Sequence, residues 1–212
     1  MSYPTPQHNS DHRHYYDDRE KVQAYIDKDK NYHVLRSKVL DDFLIDLPAK
    51  GHVLDVGCGY GYDVNQLRNK GYDAYGFDQS DAMVKTATEL YGPYFKPLSL
   101  FDLGKITNEY DIVMSRNVLV HVDDNALNLA LEMMYKVIKP GGYGIVSSKH
   151  GTGISITHTT GTKRETRVHE MNKVGDVVSH MGAKHLESPH LLDLPSTNKD
   201  PLFVVRFQKP HS

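Results

Sequence analysis

The sequence predicts an α/β fold, a mostly parallel sheet with helices on both faces and two further helices ahead of the first strand. Two observations lead to it. From His52 onward short apolar runs alternate with runs of helical spacing, the order that βαβ units require. A glycine loop, Gly57 to Gly61, lies where the first of those runs turns into its helix. Ligands of such folds sit beyond the carboxyl ends of the strands, and the loop lies at such an end.

The elements follow in order. Residues 1–16 are expected to be a mobile tail, since the first fourteen are rich in Pro, His, Ser and Asn and have no periodicity. From Asp17 the spacing is helical: Val22, Tyr25 and Ile26 share one face, and Val34, Leu35, Val39, Leu40, Phe43 and Leu44 share another before Pro48 closes the run. His52 to Val56 is a short strand, and the helix after the glycine loop runs through Leu67 until Gly71 stops it. Ala74 to Phe77 is the next strand, followed by a helix that Ser80 or Asp81 can cap and that carries Met83, Val84, Ala87 and Leu90. Tyr94 to Leu98 contains Pro97, which has no N–H to give a ladder, so this strand belongs at an edge.

Asp111 to Met114 reads as a buried strand. Asp123 and Asp124 favour the start of a helix with Leu127, Leu131, Met134 and Ile138 in register, ended by Lys139-Pro140-Gly141-Gly142. Tyr143 to Ser147 is the fifth strand. Residues 149–167, rich in Gly, Thr and His, are too long for a plain connector, so this stretch is either functional or ordered by what it covers. A helix from Val168 to Met181 stops at Gly182, and Lys184 to Glu187 and Leu202 to Phe207 are the last strands.

At 212 residues, one domain over 17–212 is expected, divided into the helices of 17–49, a core of 50–148, the stretch 149–167 and a final helix and strands over 168–212. The formal charge is −2 and Lys163-Arg164 is too short for a basic tract, so no nucleic acid partner is expected. No run approaches a membrane span, no secretory leader is visible and a single Cys suits a reducing compartment, so the cytoplasm is expected. Oligomeric state stays open.

Three carboxylates follow three successive strands. Asp55 stands two residues before Gly57, where it would repel a pyrophosphate and attract a cationic amino group, which favours a zwitterionic ligand over a dinucleotide. Asp78 ends the next strand about twenty residues beyond the glycines, the spacing of a group that accepts from a ribose diol. Asp102 follows the third strand and can accept from an adenine amine, with Phe101 and Leu103 as apolar walls. Each acid taken singly is equally a helix cap or a solvated loop carboxylate; their order makes the set.

With these residues in place, the chain resembles the class I S-adenosylmethionine-dependent methyltransferases. VLDVGCGYG is similar to the family's first motif, GFDQS to its second and SLFDL to its third, while YDIVMSRNVLVHV and VIKPGGYGIVSS resemble its fourth- and fifth-strand segments. The resemblance covers roughly Lys50 to Ser148. It implies a Rossmann-like methyltransferase fold with a seven-stranded sheet, and S-adenosyl-L-methionine as cofactor. It places Asp55, Gly57, Cys58, Gly59 and Gly61 under the methionine and ribose, Asp78 at the ribose hydroxyls, Phe101, Asp102 and Leu103 at the adenine, and the backbone near Ser115 and Arg116 at the methionine end, with Gln79 and Met83 as further cofactor contacts. Cys58 is then a loop residue, not a nucleophile.

Methyl transfer asks the protein for alignment, exclusion of water and, for some acceptors, removal of a proton. His121 matches a histidine of the ubiquinone-pathway O-methyltransferases; it is either a general base or a histidine that braces its loop. Those enzymes can hold a metal through acids of this segment, but the matching positions here are Asn117 and Val120, and His8, His12 and His14 lie in the tail, so no metal is expected. Asn117, His121, His150 and His158 are candidate substrate contacts, with Tyr16 and Tyr25 as lid residues or plain helix packing. A small-molecule methyl acceptor, methylated on oxygen or nitrogen, fits the little chain left beyond the core. A soft acceptor, a thiol or tellurium species, and a catalytically silent S-adenosylmethionine-binding protein are the alternatives.

Overall fold

The computed structural model describes residues 16–107, 109–159, 162–192 and 201–211, with the side chains of residues 157–164 outside that description. The amino-terminal tail up to residue 15, with His8, His12 and His14, lies outside the described residues.

Helices α1 (Arg19–Asp29) and α2 (His33–Phe43), joined by one 3₁₀ turn, precede strand β1 (His52–Val56). Then come α3 (Tyr62–Asn69), β2 (Asp73–Asp78), α4 (Asp81–Tyr91), β3 (Phe95–Pro97), β4 (Tyr110–Arg116), α5 (Leu127–Lys136) and β5 (Ile138–Lys149). A hairpin of β6 (Ile154–Thr159) and β7 (Thr162–Arg167) leads to α6 (Met171–His180) and the short strands β8 (Lys184–His185) and β9 (His190–Leu191), and β10 (Leu202–Gln208) closes the sheet. The main sheet has the order β3-β2-β1-β4-β5-β10-β8, with β9 also on β10. The first five strands pair in parallel and β10 runs antiparallel to β5.

Both faces of the sheet are buried, which is why its strands read as continuous apolar runs. On one face Leu54, Val113, Val146 and Val205 pack against Leu127, Leu131 and Met134 of α5 and Val174 and Val178 of α6. On the other, Val53, Ile112, Met114, Ile145 and Val204 meet Val39, Leu40 and Phe43 of α2 and Val64 and Leu67 of α3. A small third cluster, Val22, Ile26, Tyr60, Tyr62 and Met83, fastens α1 to the glycine loop and α4. Capping agrees with composition at α4, where the Ser80 hydroxyl accepts from Met83 N at 3.1 Å. No helix among the described residues is long and apolar enough to cross a membrane.

Several expectations change. Val34 is 87% exposed and Leu90 is exposed, because each lies off the inward stripe of its helix. Asp123 and Asp124 do not cap α5: a backbone turn from Ala126 N to Asp123 O starts it, and the two side chains face Arg167, His169 and Lys173 instead. Lys139 to Gly142 does not end in a loop but is absorbed into β5, with a register shift between Tyr110 and Ile112 on its partner strand. Most of the 149–167 stretch forms the β6–β7 hairpin, whose strands pair only with each other among the described residues. Its ISITHT run has the period and β-branching of a strand. The exposed Ile154 and Ile156 show why the alternation does not announce a buried face.

Gly144 sits opposite Phe207 across the β5–β10 pair. A Cβ there would lie 2.1 Å from the Phe207 ring, which Tyr135 stacks upon at a centroid distance of 6.4 Å. Gly144→Ala should therefore cost about 1–3 kcal/mol through overpacking, measured as a lowered midpoint in urea; a wild-type midpoint would mean that the ring yields freely.

Candidate active site

Gly57 to Gly61 cross from β1 to α3 beyond the carboxyl ends of β1 and β2. Gly57 N and Cys58 N donate to Phe77 O at 2.7 and 3.1 Å, so the loop grips the neighbouring strand. The three glycines serve different ends, although all have positive φ. At Gly57 a Cβ would lie 2.2 Å from Val118, and at Gly61 2.5 Å from the Phe95 ring; at Gly59 it would meet nothing within 4 Å. Close packing thus fixes the two ends of the loop, and its middle faces open space among the described residues.

Asp78 stands beside that opening. Its Oδ2 accepts from Gly59 N at 2.9 Å and its Oδ1 from Ser80 N at 2.9 Å, so one carboxylate orders both the glycine loop and the start of α4. Burial pushes its carboxyl up, against the pull of those backbone donors. Gln79 beside it is exposed. Asp55, 3% exposed at the end of β1, is pushed up to about 8 by burial and by the charge of Asp63, against the opposing pull of Arg116 and Arg36. Burial also raises the Cys58 thiol, which leaves it poorly suited to nucleophilic chemistry.

Asp63, in the first turn of α3, is the residue that sequence reasoning missed. Arg36 of α2 donates to its Oδ2 at 2.9 Å, and Arg116 at the end of β4 donates to its Oδ1 at 2.7 Å and lies 2.5 Å from its Oδ2. Burial alone would push this carboxyl up; the guanidiniums of Arg116 and Arg36 outweigh it and hold it below the usual range. Arg36 also binds Asp29 at the end of α1, and Asp29 accepts from the Tyr60 hydroxyl at 2.5 Å, with His33 Nε2 2.8 Å from the same hydroxyl. The signal was present: Arg36 is a charge in line with Val39 and Leu40 on a buried helix face, three and four residues on.

Of the expected site residues, the structure brings Asp55, Gly57, Cys58, Gly59, Gly61, Asp78 and Arg116 together around the loop, although the Arg116 side chain is spent on Asp63. Tyr16 and Tyr25 reach the same region: their rings meet edge to face at 5.7 Å, Tyr25 meets Tyr60 at 6.1 Å, and the Ser80 hydroxyl donates to Tyr16 O at 2.8 Å. Ser115 is buried at the end of β4, its hydroxyl without a hydrogen-bond partner among the described residues. Asn117 follows, exposed and left-handed at φ 58°, and His121 is half-buried in the 3₁₀ turn Leu119–His121.

Other residues are engaged elsewhere. Leu103 is fully buried in the main core, with Phe101 half-buried against that core, because the 3₁₀ turn Leu100–Lys105 packs on α5; Asp102 stays outside, paired with Lys105 at 2.7 Å. Met83 packs beneath α1 with Val22 and Ile26. His150 Nδ1 accepts from Met171 N at 3.2 Å at the start of α6 and its ring stands against Phe203, a structural occupation. The side chain of His158 lies outside the described residues. His169, buried against Leu119 O, was not anticipated.

Comparison with known proteins gives this geometry its context. The model of a family described as a methyltransferase domain matches residues 53–142. The chain is 26% identical over 136 residues to the probable S-adenosyl-L-methionine-dependent methyltransferase TehB of Haemophilus influenzae, covering 62% of this chain and 47% of the relative. It is 31% identical over 112 residues to the mitochondrial ubiquinone biosynthesis O-methyltransferase of Homo sapiens, covering 49% and 30%. It spans less than half the length of these relatives. Among solved structures it superposes on a DhpI complex with SAM and HEP at a TM-score of 0.74, covering 98% of this chain and 100% of that one; at 16% identity this is a likeness of fold.

Two outcomes are expected from the buried carboxylates. Asp63→Asn leaves two guanidiniums short of their counter-charge and should destabilise the protein by about 3–5 kcal/mol, read by denaturant unfolding; a loss within error of zero would mean that solvent takes over the pairing. Asp55, raised in the folded state from an ordinary 3.8 to about 8, binds its proton more tightly folded than unfolded. Stability from this group is therefore present at low pH and lost as pH rises from about 4 to about 8. Relative to the wild type, Asp55→Asn should gain stability across that window in the ligand-free protein, whereas a pH-independent difference would contradict the shift.

Proposed function

We propose that the chain, whose residues 53–142 match the methyltransferase-domain model, is a class I S-adenosylmethionine-dependent methyltransferase that moves a methyl group to oxygen or nitrogen of a small metabolite. The observation that carries the reading is the Asp78–Gly59 contact at the mouth of the loop. A carboxylate beside a backbone that no side chain covers suits a ribose diol laid against the glycines. Asp55 suits the ligand's amino group, since an ammonium would offset the burial that raises its carboxyl. Asp102, on the outer side of its turn, suits the adenine amine, with Phe101 beside it.

When bound, S-adenosylmethionine supplies a methyl on a sulfonium, open to in-line displacement by the acceptor. The chain's own residues provide the setting. The Asp78 and Phe77 contacts hold the loop in one shape before any ligand arrives. The α1 segment, with Tyr16 and Tyr25 over Tyr60, supplies an aromatic cover that excludes water. His121, in the turn after β4, is the group assigned to take the acceptor's proton. A small acceptor suits the limited chain beyond the core: two helices and one hairpin. The likeness to an O-methyltransferase of ubiquinone biosynthesis supports an oxygen acceptor.

S-adenosylhomocysteine should raise the melting temperature in a concentration-dependent way, and labelled S-adenosylmethionine with a metabolite extract should yield a labelled small product; stabilisation by NADH with none by S-adenosylhomocysteine would reject the reading. Asp78→Ala should weaken S-adenosylhomocysteine binding by about 1.5–3 kcal/mol in calorimetry, because the diol and two backbone donors lose a charged acceptor. His121→Ala should lower turnover of the identified acceptor by roughly 10²-fold or more with cofactor affinity nearly unchanged; full activity with the wild-type pH profile would end the base assignment.

A further inference from the structure

His169 follows β7 at the root of the hairpin, and it is only 1% exposed. Its Nε2 lies 2.9 Å from Leu119 O and its Nδ1 lies 3.3 Å from Asp124 Oδ1. A carbonyl oxygen only accepts, so the imidazole must carry its hydrogen on Nε2. The same Leu119 carbonyl accepts from Val122 N at 2.9 Å, the bond that closes the turn around His121, while His121 N itself donates to Val118 O at 2.9 Å. Leu119 O therefore has two donors, one that forms the turn and one that fixes it in space. Leu119 is fully buried in the main core, so its end of the turn is already held.

The contacts form a clamp rather than a single bond. Arg167, two residues earlier, pairs with Asp123 at 2.7 Å, and Lys173 lies 3.5 Å from Asp124. The hairpin root is in turn tied to the end of β5: His169 N donates to Lys149 O at 3.1 Å and Gly151 N to His169 O at 3.2 Å. The segment 119–124 is thus bounded by the hairpin root on one side and by the core on the other, and His121 sits between its fixed points.

We propose that His169 is a positioning residue that holds the turn carrying His121, so that the hairpin and the acceptor end of the site move as one unit. This rests on the reading of His121 as an acceptor-end residue; the clamp itself is measured without turnover. Three measurements test it. In the wild type, nitrogen-detected NMR of the histidine rings should find His169 protonated on Nε2; an unprotonated Nε2 overturns the proposal whatever the variants do. In His169→Leu, amide exchange at Val122 should quicken roughly five- to tenfold and the His121 ring resonances should shift, with S-adenosylhomocysteine affinity unchanged. His169→Gln, which keeps a donor of similar reach, should restore both. Wild-type exchange at Val122 and unshifted His121 resonances in a folded His169→Leu, or a change spread evenly over all amides, overturns it. Loss of S-adenosylhomocysteine binding by the wild type would instead strike the methyltransferase reading and leave the clamp standing.

Discussion

A single carboxylate, Asp63, joins three parts of the chain that are far apart in sequence. It stands in the first turn of α3, takes Arg116 from the end of β4 and Arg36 from α2, and through Arg36 reaches Asp29 at the end of α1. Two guanidiniums against one buried carboxylate would leave a positive excess, and Asp29, paired with Arg36, answers it. Ion sets of this kind add little stability compared with apolar packing of the same volume. They specify geometry, because each partner is expensive to leave unpaired. The amino-terminal helices therefore have one seat on the glycine loop.

The seat has a second layer of aromatic rings. Tyr60 and Tyr62 project from the loop and the start of α3, His33 stacks on Tyr62 at 3.9 Å, and the Tyr62 hydroxyl donates to His33 O at 3.2 Å. These side chains give apolar area with a polar end that finds a partner in the same place. An element that covers a site is thus attached through the site's own loop.

The alternation of strands and helices, the glycine loop and the edge position of β3 were legible in the sequence, because period and turn chemistry are local properties. Asp55 and Asp78 stand where the strand ends put them, at the carboxyl ends of β1 and β2 beside the glycine loop, whereas Asp102 pairs with Lys105 on its own turn. What could not be found was which side chains meet across the sheet. Nothing near Asp63 in the chain names Arg36 or Arg116, and Asp123 and Asp124 resembled a helix start until Arg167 and Lys173 drew them away. Leu103 illustrates the converse: adjacency to Asp102 suggested a shared role, but a 3₁₀ turn sends neighbouring side chains in different directions. The β6–β7 hairpin was hidden because exposed isoleucines carry no inward face for a period to mark.

The sheet's borders have a consequence of their own. One border is β3, three residues long and ending in Pro97, and among the described residues the other, beyond β10, holds only the two-residue strands β8 and β9. The longest strand, β5, lies inside, paired along both flanks by β4 and β10. Free strand edges recruit other chains by offering unmatched N–H and C=O groups in a row. Here the rows are too short, and on β3 one member lacks its N–H, so the sheet offers a second molecule almost no template to extend. Strand-on-strand extension at these two borders of the main sheet is thereby disfavoured by the length of the edge strands, without any help from the near-zero net charge.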